Sequence, residues 1–305
     1  MVKIRTLQLK NYCGYRDITF DFSDTDGGIK PISCFFGPNG CGKSTGLDAI
    51  SMLSATYRLT GRRVDLVLRK CTYHPDYDPT VAGFINSPEP MELIGVFATE
   101  NGDKKVVITS EGVQLDELPP KAYPRDNSYY IDADNANTMY KFQLCKAEGE
   151  KFIDIANVFY GYPCELEGLT ADLGNNDEEY YTDFVIQKSN GTRVHYKRMS
   201  DGEKKIAQLV AGLCDPSWMN NIDIILVDNI ELHVYKNRHG KMINKLLSSF
   251  PTKQFVATTH SAILTGVDDN ELGIHIKPFL DQKYLYDIEK YRIEESERIA
   301  ARIVV

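Results

Sequence analysis

The apolar and polar positions at the start of the chain predict two strands, followed by a strand, a loop and a helix. Apolar residues alternate, or nearly so, over residues 4–9 and 18–22, and turn-forming Ser, Asp, Thr and Gly follow the second run. A third run, Ile32–Phe36, stops at a glycine-rich segment, and apolar residues then recur at helical spacing from Ser44 onward. The pattern predicts β-hairpin structure at the start of the chain. It then predicts the order strand, glycine-rich loop and helix, which a phosphate-binding loop requires.

From residue 182 onward the pattern alternates between strands and helices. Asp228 directly follows one apolar strand, and Thr259 and His260 follow the next. Such alternation predicts a largely parallel sheet whose strand ends converge on a ligand. The predicted elements are strands at 184–187, 194–197, 222–227 and 254–258, a helix from about Gly202, and a helix that carries Met242, Ile243, Leu246, Leu247 and Phe250.

The middle of the chain, residues 58–162, has a weaker pattern. It contains strand-like runs at 91–99 and 105–109, a stretch rich in tyrosine and asparagine at 123–140, and a helical pattern at 148–159. No heptad repeat is sustained there, which excludes a long coiled-coil arm within this segment. A strand and a charged helix are predicted for the tail, residues 284–305.

Composition and charge narrow the class of protein. The chain is 42% apolar and 26% charged, close to the average for soluble globular proteins. It has no apolar run long enough to span a bilayer and no signal-peptide pattern at its start, so a cytoplasmic protein without membrane insertion is expected. The net charge of −8 argues against a nucleic-acid grip over the whole surface. A local basic patch or a solvated face remains open for Arg58, Arg62, Arg63, Arg69 and Lys70.

The seven cysteines are scattered, odd in number and never spaced as Cys-x-x-Cys. This pattern favours reduced, structural thiols over zinc or redox chemistry.

Residues 37–44 match the phosphate-loop pattern G-x-x-x-x-G-K-[ST] at every position. Glycines allow backbone N–H groups to face the phosphates, Lys43 reaches the β and γ phosphates, and Ser44 ligates Mg²⁺. ATP and Mg²⁺ are therefore the predicted cofactors. The predicted ATP-binding residues are Gly37, Pro38, Asn39, Gly40, Cys41, Gly42, Lys43, Ser44 and Thr45.

Asp228 supplies the carboxylate that a phosphate-loop site requires. It ends a buried strand, and we expect that strand to lie beside the strand that precedes the loop. The predicted metal site consists of Ser44, Asp228 and the nucleotide, with Mg²⁺ as the ion.

Four motifs in order resemble those of ABC-type ATPases. The segment Ser200, Asp201, Gly202 and Glu203 is similar to the signature motif of the SMC, Rad50, RecF and OLD-like groups. It follows the phosphate loop and precedes both the Asp228 segment and the Thr-Thr-His-Ser at His260. The resemblance implies an α/β fold, a P-loop NTPase of ABC ATPase type, with a mainly parallel central sheet, an antiparallel β lobe and a helical lobe.

The resemblance also implies a domain layout. Residues 1–305 form a single ATPase domain, with an N-terminal lobe to about 120, a variable or helical insertion at about 121–180, a signature and switch lobe at about 181–275, and a short tail. The segment after His260 is expected to be too short for the appended nuclease domain of OLD-like proteins, so we expect any cutting activity to come from a partner or to be absent.

Roles for single residues follow from the same resemblance. The signature residues would bind the γ-phosphate held by a second subunit, so that two chains enclose two ATP molecules. Ser200 and Glu203 also fit a capping box, and both roles can hold together. His260 resembles the switch histidine near the γ-phosphate. For His233 a dimer contact and a plain polar residue at the start of a helix remain open.

Asn229 departs from the family pattern, which places a glutamate directly after Asp228. An amide can orient water but cannot accept its proton. Glu231, two residues further on, is the alternative base. The predicted catalytic set is Asp228, Asn229, Glu231 and His260.

The function that we expect is an ATP-driven dimerisation switch with slow hydrolysis, in DNA repair or recombination, phage biology or anti-phage defence. Two alternatives remain open: the ATP-binding subunit of a membrane transporter, and a regulatory ATP sensor that holds an effector. A homodimer on ATP binding is the predicted assembly. An effector or nuclease subunit and DNA remain open as partners. Tyr12 and Tyr15 are the candidates for stacking on adenine.

Overall fold

The protein is described from a computed structural model. The structure describes residues 1–12, 15–36, 42–56, 92–109, 112–115, 128–132, 142–171, 179–220, 222–260 and 275–278. Residues 37–41 of the predicted phosphate loop, the basic cluster at 58–70 and the predicted tail elements lie outside this range.

The described residues form β-strands, α-helices and short 3₁₀ turns, with both parallel and antiparallel strands. The strands are β1 (Val2–Tyr12), β2 (Tyr15–Asp21), β3 (Ile32–Phe36), β4 (Glu92–Thr99), β5 (Gly102–Thr109), β6 (Gly112–Leu115), β7 (Ser128–Asp132), β8 (Leu144–Cys145), β9 (Cys164–Ala171), β10 (Glu179–Gln187), β11 (Arg193–His195), β12 (Ile224–Asp228), β13 (Gln254–Thr259) and β14 (His275–Pro278). The helices are α1 (Lys43–Thr56), α2 (Gly149–Tyr160), α3 (Asp201–Cys214), α4 (Pro216–Met219) and α5 (His239–Ser249), with 3₁₀ turns at Lys146–Glu148, Tyr196–Arg198 and Lys236–Arg238.

A five-stranded parallel sheet forms the centre, in the order β14-β3-β13-β12-β7. Every residue of β12 and β13 is buried, as expected for strands covered on both faces. The largely parallel sheet predicted from the sequence is confirmed. Its strand β7 comes from the tyrosine-rich stretch for which the pattern predicted no strand.

Alternate residues of the central strands pack into two separate cores. In β12, Ile225 and Val227 join one core, whereas Ile224 and Leu226 join the other. The first core contains the buried faces of α2, α3 and α5, and the second contains residues of α1 and of the antiparallel strands β1, β2, β4 and β5. Because side chains alternate along a strand, one continuous apolar run supplies both cores.

The antiparallel sheet is joined to the central sheet by two side chains, Gln254 at the start of β13 and Asp223 just before β12. The side-chain oxygen of Gln254 accepts the Ile4 N–H at 2.8 Å, and its amide nitrogen donates to the Ile4 carbonyl at 2.9 Å. Asp223 accepts the Val2 N–H at 2.8 Å. Gln254 therefore pairs with β1 as a neighbouring strand would.

A third, antiparallel sheet is built around β10, with β9 on one side and β8 and β11 on the other. Its inner face packs on α2, where the rings of Phe152 and Phe184 meet edge to face with their centroids 5.1 Å apart. The strand predicted at 194–197 ends earlier than expected, at His195, because the chain then turns into a 3₁₀ helix that leads to Ser200.

Four cysteines of the described chain are thiols that form no disulfide, and three of them, Cys34, Cys164 and Cys214, are buried. Burial raises the pKa of Cys164 and of Cys214 to about 12. Both therefore stay protonated and poorly nucleophilic at neutral pH, which agrees with the prediction of reduced, structural thiols. Separately, none of the described helices combines the length and apolar character needed to cross a bilayer.

Candidate functional site

The first turn of α1 lies where the sequence placed the end of the phosphate loop. Gly42 has φ of 94°, a left-handed conformation that glycine adopts without strain. Lys43 is buried, Ser44 is exposed and Thr45 is partly buried. The N–H groups of a first helical turn have no carbonyl partner within the helix and carry the positive end of its dipole, so they attract anions.

A chain of hydrogen bonds joins this turn to the ends of β12 and β13. The Ser44 hydroxyl donates to Asp228 Oδ2 at 2.7 Å. The Thr258 hydroxyl donates to Asp228 Oδ1. Asp228 and Thr258 are buried, with 8% and 0% of their surface exposed, so the carboxylate is held in one orientation at the carboxyl edge of the sheet.

The strand that carries Asp228 is not the neighbour of the strand before the loop, which corrects our expectation. β13 lies between β3 and β12. Ser44 still reaches Asp228 because α1 begins above the carboxyl ends of these strands and packs across the sheet through Leu47 and Ile50.

The loop after β12 is tied to the end of β13. The Asn229 N–H donates to the Thr258 hydroxyl at 2.7 Å, and the Ile230 N–H donates to the Thr258 carbonyl at 3.0 Å. Ile230 and Val234 are buried and anchor the loop in the core. Asn229 and His233 have φ of 53° and 67°. Non-glycine residues rarely adopt this conformation, and such residues concentrate at functional sites.

Glu231 and His260 meet at the edge of the site. The backbone N–H of His260 donates to Glu231 Oε1 at 2.6 Å. The other oxygen, Oε2, is buried and makes no hydrogen bond within the described residues. His260 itself is exposed where the chain leaves β13.

The signature segment opens α3 with a complete capping box. Ser200 Oγ accepts the Glu203 N–H at 3.3 Å, and the Glu203 carboxylate accepts the Ser200 N–H at 3.0 Å. Asp201 is the first helical residue and is exposed. Burial raises the pKa of Glu203, but hydrogen bonds from Lys188 and Ser200 outweigh it and leave the pKa below its ordinary value. The capping box predicted from the sequence is confirmed.

His233 lies against the start of the signature helix. A Cβ built on Gly202 would come within 2.9 Å of His233 Nδ1 and 3.2 Å of its Cγ. Gly202 therefore provides space for the imidazole ring of the same chain. This contact joins the loop after β12 to the signature segment, and it was not foreseen from the sequence.

The adenine-stacking candidates are wrong. Tyr12 and Tyr15 are 6% and 2% exposed and belong to the core between α1 and the antiparallel sheet. They face each other across the β1–β2 hairpin, where Tyr12 pairs with Tyr15. A ring buried in this way has no free face for a base to stack on.

Two residues at the carboxyl edge of the central sheet were not predicted from the sequence. Thr258 binds both Asp228 and Asn229, and a threonine two residues before a candidate histidine was the available signal. Asp132 is the last residue of β7, and its backbone is in register with Asp228. A run of β-forming residues that ends in an acid could have indicated it.

A second polar cluster lies on the third sheet, where one ligand atom each of Glu167, Asp183 and His195 fall within 4.8 Å of one another. His195 Nδ1 lies 2.8 Å from Asp183 Oδ2, and Arg193 pairs with both Glu165 and Glu167 at 2.5 Å. Because these groups bind one another across β9, β10 and β11, we assign them to strand pairing.

Comparison with protein families identifies the domain. The family model AAA_15, described as an AAA ATPase domain, matches residues 2–160, just over half of the 305 residues. The chain belongs to the AAA_15 family of AAA ATPase domains. The matched stretch of this AAA_15 domain includes the phosphate loop and α1.

Two curated relatives of the AAA_15 domain are longer proteins. The Septu protein PtuA of Bacillus mycoides (strain KBAB4) is 23% identical over 297 residues, which cover 89% of this chain and 40% of that protein. The retron Vc95 probable ATPase of Vibrio cholerae serotype O1 biovar El Tor is 32% identical over 104 residues, which cover 31% of this chain and 20% of that protein. The AAA_15 domain thus spans less than half the length of these relatives.

Solved structures show the same fold. The SMC head domain from Thermotoga maritima superposes on the AAA_15 domain with a TM-score of 0.55 at 16% identity, over 90% of this chain and 94% of that one. An Smc head domain derived from Pyrococcus furiosus has a TM-score of 0.55 at 14% identity, and the match covers 96% of this chain and 100% of that chain. The resemblance to ABC-type ATPase heads and the predicted fold class are confirmed.

Proposed function

We propose that this AAA ATPase domain is an ATP-dependent dimerisation switch that binds ATP with Mg²⁺ and hydrolyses it slowly. The observation that carries the proposal is the contact between Ser44 and Asp228 at 2.7 Å. It brings a hydroxyl from the first turn of α1 to a buried carboxylate at the carboxyl edge of a parallel sheet. Ligands bind at this edge in open α/β sheets.

The residues at this edge fit a nucleotide with its metal. Hard oxygen ligands suit Mg²⁺, and Ser44 and Asp228 both offer one. Lys43 and the start of α1 supply positive charge for the phosphates. We assign phosphate binding to residues 37–45 and the metal to Ser44 and Asp228. Mg²⁺ would neutralise phosphate charge and orient the terminal phosphate.

Dimerisation is proposed from the signature segment. The capping box holds the start of α3 in a helical conformation, with Ser200 at the cap. A helix start of this kind can receive an anion, and the likeness to ABC-type heads favours a γ-phosphate held by a second copy of the chain. His260, exposed at the end of β13, is proposed as the switch residue near the same phosphate.

Slow turnover is proposed from Asn229. This residue follows the Asp228 carboxylate directly, and its amide cannot accept a proton from water. A positioned general base contributes about 10² to 10⁴ in rate. Phosphate binding without that base favours a long-lived ATP state, which suits a switch that holds an effector.

The setting and partners are proposed in outline. Names of matched relatives, Septu protein and retron ATPase, favour phage biology and anti-phage defence over DNA repair. We propose a cytoplasmic protein that acts with an effector or nuclease subunit. Binding to DNA stays a further hypothesis.

The test is the solution mass of the protein, with ATP and with ADP, measured by light scattering. We expect ATP and Mg²⁺ to give a dimer more effectively than ADP, because the γ-phosphate is what the opposite helix start would bind. Lys43→Ala should weaken ATP affinity at least about tenfold, since it removes a charge-assisted contact to phosphate. Ser200→Arg should bind ATP but remain monomeric.

Matched controls are available on the exposed face of α5. Lys241→Ala and Ser248→Arg repeat the two changes at exposed positions and should behave as the parent. Undiminished ATP affinity in Lys43→Ala would contradict the proposed nucleotide site. If Ser200→Arg still forms dimers with ATP, the proposed binding of one chain's γ-phosphate by the other chain's Ser200 segment is wrong.

A further inference from the structure

Hydrogen bonds join the loop after β12 to Thr258 in β13 and to His260, the residue that follows β13. The backbone N–H groups of Asn229 and Ile230 both donate to Thr258. A hydrogen bond in the opposite direction runs from the His260 N–H to the Glu231 carboxylate at 2.6 Å. The Glu231 side chain is therefore the point at which this loop contacts the candidate switch residue.

This contact is strong and local. A carboxylate that accepts a backbone N–H makes a charge-assisted hydrogen bond, which is short and about twice as strong as a neutral one. Its position in the chain matters, because Thr259 is the last residue of β13 and His260 is the first residue after it. A bond at that point sets the direction in which the chain leaves the sheet, and so the position of the His260 ring.

The loop itself is held firmly enough to act as a support. Ile230 is 1% exposed and Val234 is 8% exposed, so two buried side chains flank Glu231. The Val234 N–H donates to the Glu231 carbonyl at 3.1 Å, and the Leu232 N–H donates to the Asn229 carbonyl at 2.9 Å. These contacts fix the backbone from which the Glu231 side chain projects.

We propose that Glu231 is a positioning residue that holds the switch histidine, His260, in place through its backbone N–H. This inference rests on the proposed ATPase function. It assigns Glu231 a role other than the general base that the sequence left open. One carboxylate oxygen is engaged with His260, and the other is buried, so bulk water does not reach it. The requirement at this position is a hydrogen-bond acceptor rather than a base.

An acceptor and a base can be separated by substitution. Glu231→Gln keeps a side-chain oxygen that can accept the His260 N–H but cannot take a proton. Glu231→Leu has a similar volume and no acceptor. We expect Glu231→Leu to lower kcat for ATP by about tenfold or more. The KM for ATP should change by less than about threefold, since the phosphate loop is intact. Glu231→Gln should recover most of the lost kcat.

A second measurement needs no nucleotide. Hydrogen exchange of the His260 amide, followed by NMR, reports the bond directly. We expect protection in the parent and in Glu231→Gln, and exchange at least about tenfold faster in Glu231→Leu. In a His260→Ala background, Glu231→Leu should cause little further loss of kcat, because the two residues act through one another. Glu150→Leu, at an exposed position in α2, is the control and should match the parent.

The outcomes separate this inference from the function on which it rests. If Glu231→Gln loses as much kcat as Glu231→Leu, the carboxylate is needed as a base and the positioning role is wrong. Equal His260 exchange in all three proteins would also overturn it. Failure of the parent to bind ATP would contradict the proposed function. Hydrogen exchange of the His260 amide would still decide whether Glu231 holds that residue in place.

Discussion

At the position after Asp228, the backbone conformation favours asparagine, whereas general-base catalysis would require a glutamate. Asn229 has φ of 53°, and asparagine tolerates the left-handed region better than other non-glycine residues. A glutamate there would offer a base at the cost of backbone strain. The asparagine thus satisfies the turn that leads to Ile230, and it leaves the site without a proton acceptor at this point.

Asn229→Glu is therefore expected to have two opposite effects. Turnover of ATP should rise by at least about tenfold, because a general base is added. The free energy of unfolding should fall by about 1 kcal/mol, because glutamate is strained at this φ. Steady-state ATPase assays and denaturant unfolding measure the two quantities.

Asn229→Gln is the matched control, since it brings the strain without the base. It should lose stability and gain no turnover. A parent enzyme that is already fast, and that Asn229→Glu does not accelerate, would contradict the slow switch and favour an ordinary ATPase with a displaced base.

At the scale of elements, the start of α3 has two structural roles: it caps the helix and it leaves space for His233. Its capping box holds the helix end, with the Glu203 pKa below its ordinary value. That stabilisation is present above the pKa of an unfolded glutamate and is lost as the pH falls through the lower, folded value. Its second residue, Gly202, leaves room for His233. The glycine therefore has a role within one chain, besides any role toward a phosphate of a partner.

Gly202→Ala distinguishes these two roles. Alanine favours a helix by about 0.5–1 kcal/mol over glycine, which offsets crowding against His233, so the melting temperature should change little. ATP-driven dimerisation, followed by light scattering, should weaken because the imidazole ring is displaced.

The double variant Gly202→Ala, His233→Gly tests the cause of that loss. Glycine suits the φ of 67° at position 233 and removes the ring. Recovery of the dimer would show that crowding within one chain caused the loss. A double variant that stays monomeric would contradict this cause and leave direct approach of the phosphate as the reason for glycine.

For the whole molecule, the connection between the antiparallel sheet and the central parallel sheet is polar as well as apolar. Gln254 is 0% exposed and satisfies both backbone groups of Ile4. A buried polar group without a partner costs about 1–3 kcal/mol. Gln254 therefore helps to join the antiparallel and parallel sheets, and its loss leaves two such groups on β1.

Gln254→Leu should lower the free energy of unfolding by about 2 to 6 kcal/mol, as the sum of two unsatisfied backbone groups. Denaturant unfolding measures the change. Gln187→Leu, at the exposed end of β10, is the control and should stay within about 0.5 kcal/mol of the parent. Equal costs for the two variants would show that the bridge to Ile4 contributes no stability.

Local features of this protein followed from the sequence. The phosphate-loop pattern ending at Ser44, the capping box at Ser200 and the buried strand before Asp228 each depend on a few neighbouring residues, and periodicity or spacing is enough to recognise them. The structure confirms the helix, the cap and the strand, and the comparisons confirm the family that the ordered motifs indicated.

Contacts between distant residues were decided only by the tertiary structure. Strand order places β13 between the loop strand and Asp228, and it brings β7 from an unpromising stretch into the central sheet. Side-chain packing buries Tyr12 and Tyr15, seats His233 on Gly202 and joins Glu231 to His260. The physical reason is that local sequence sets which residues form an element and which face is apolar, whereas register and packing between elements depend on partners that are far away in the chain.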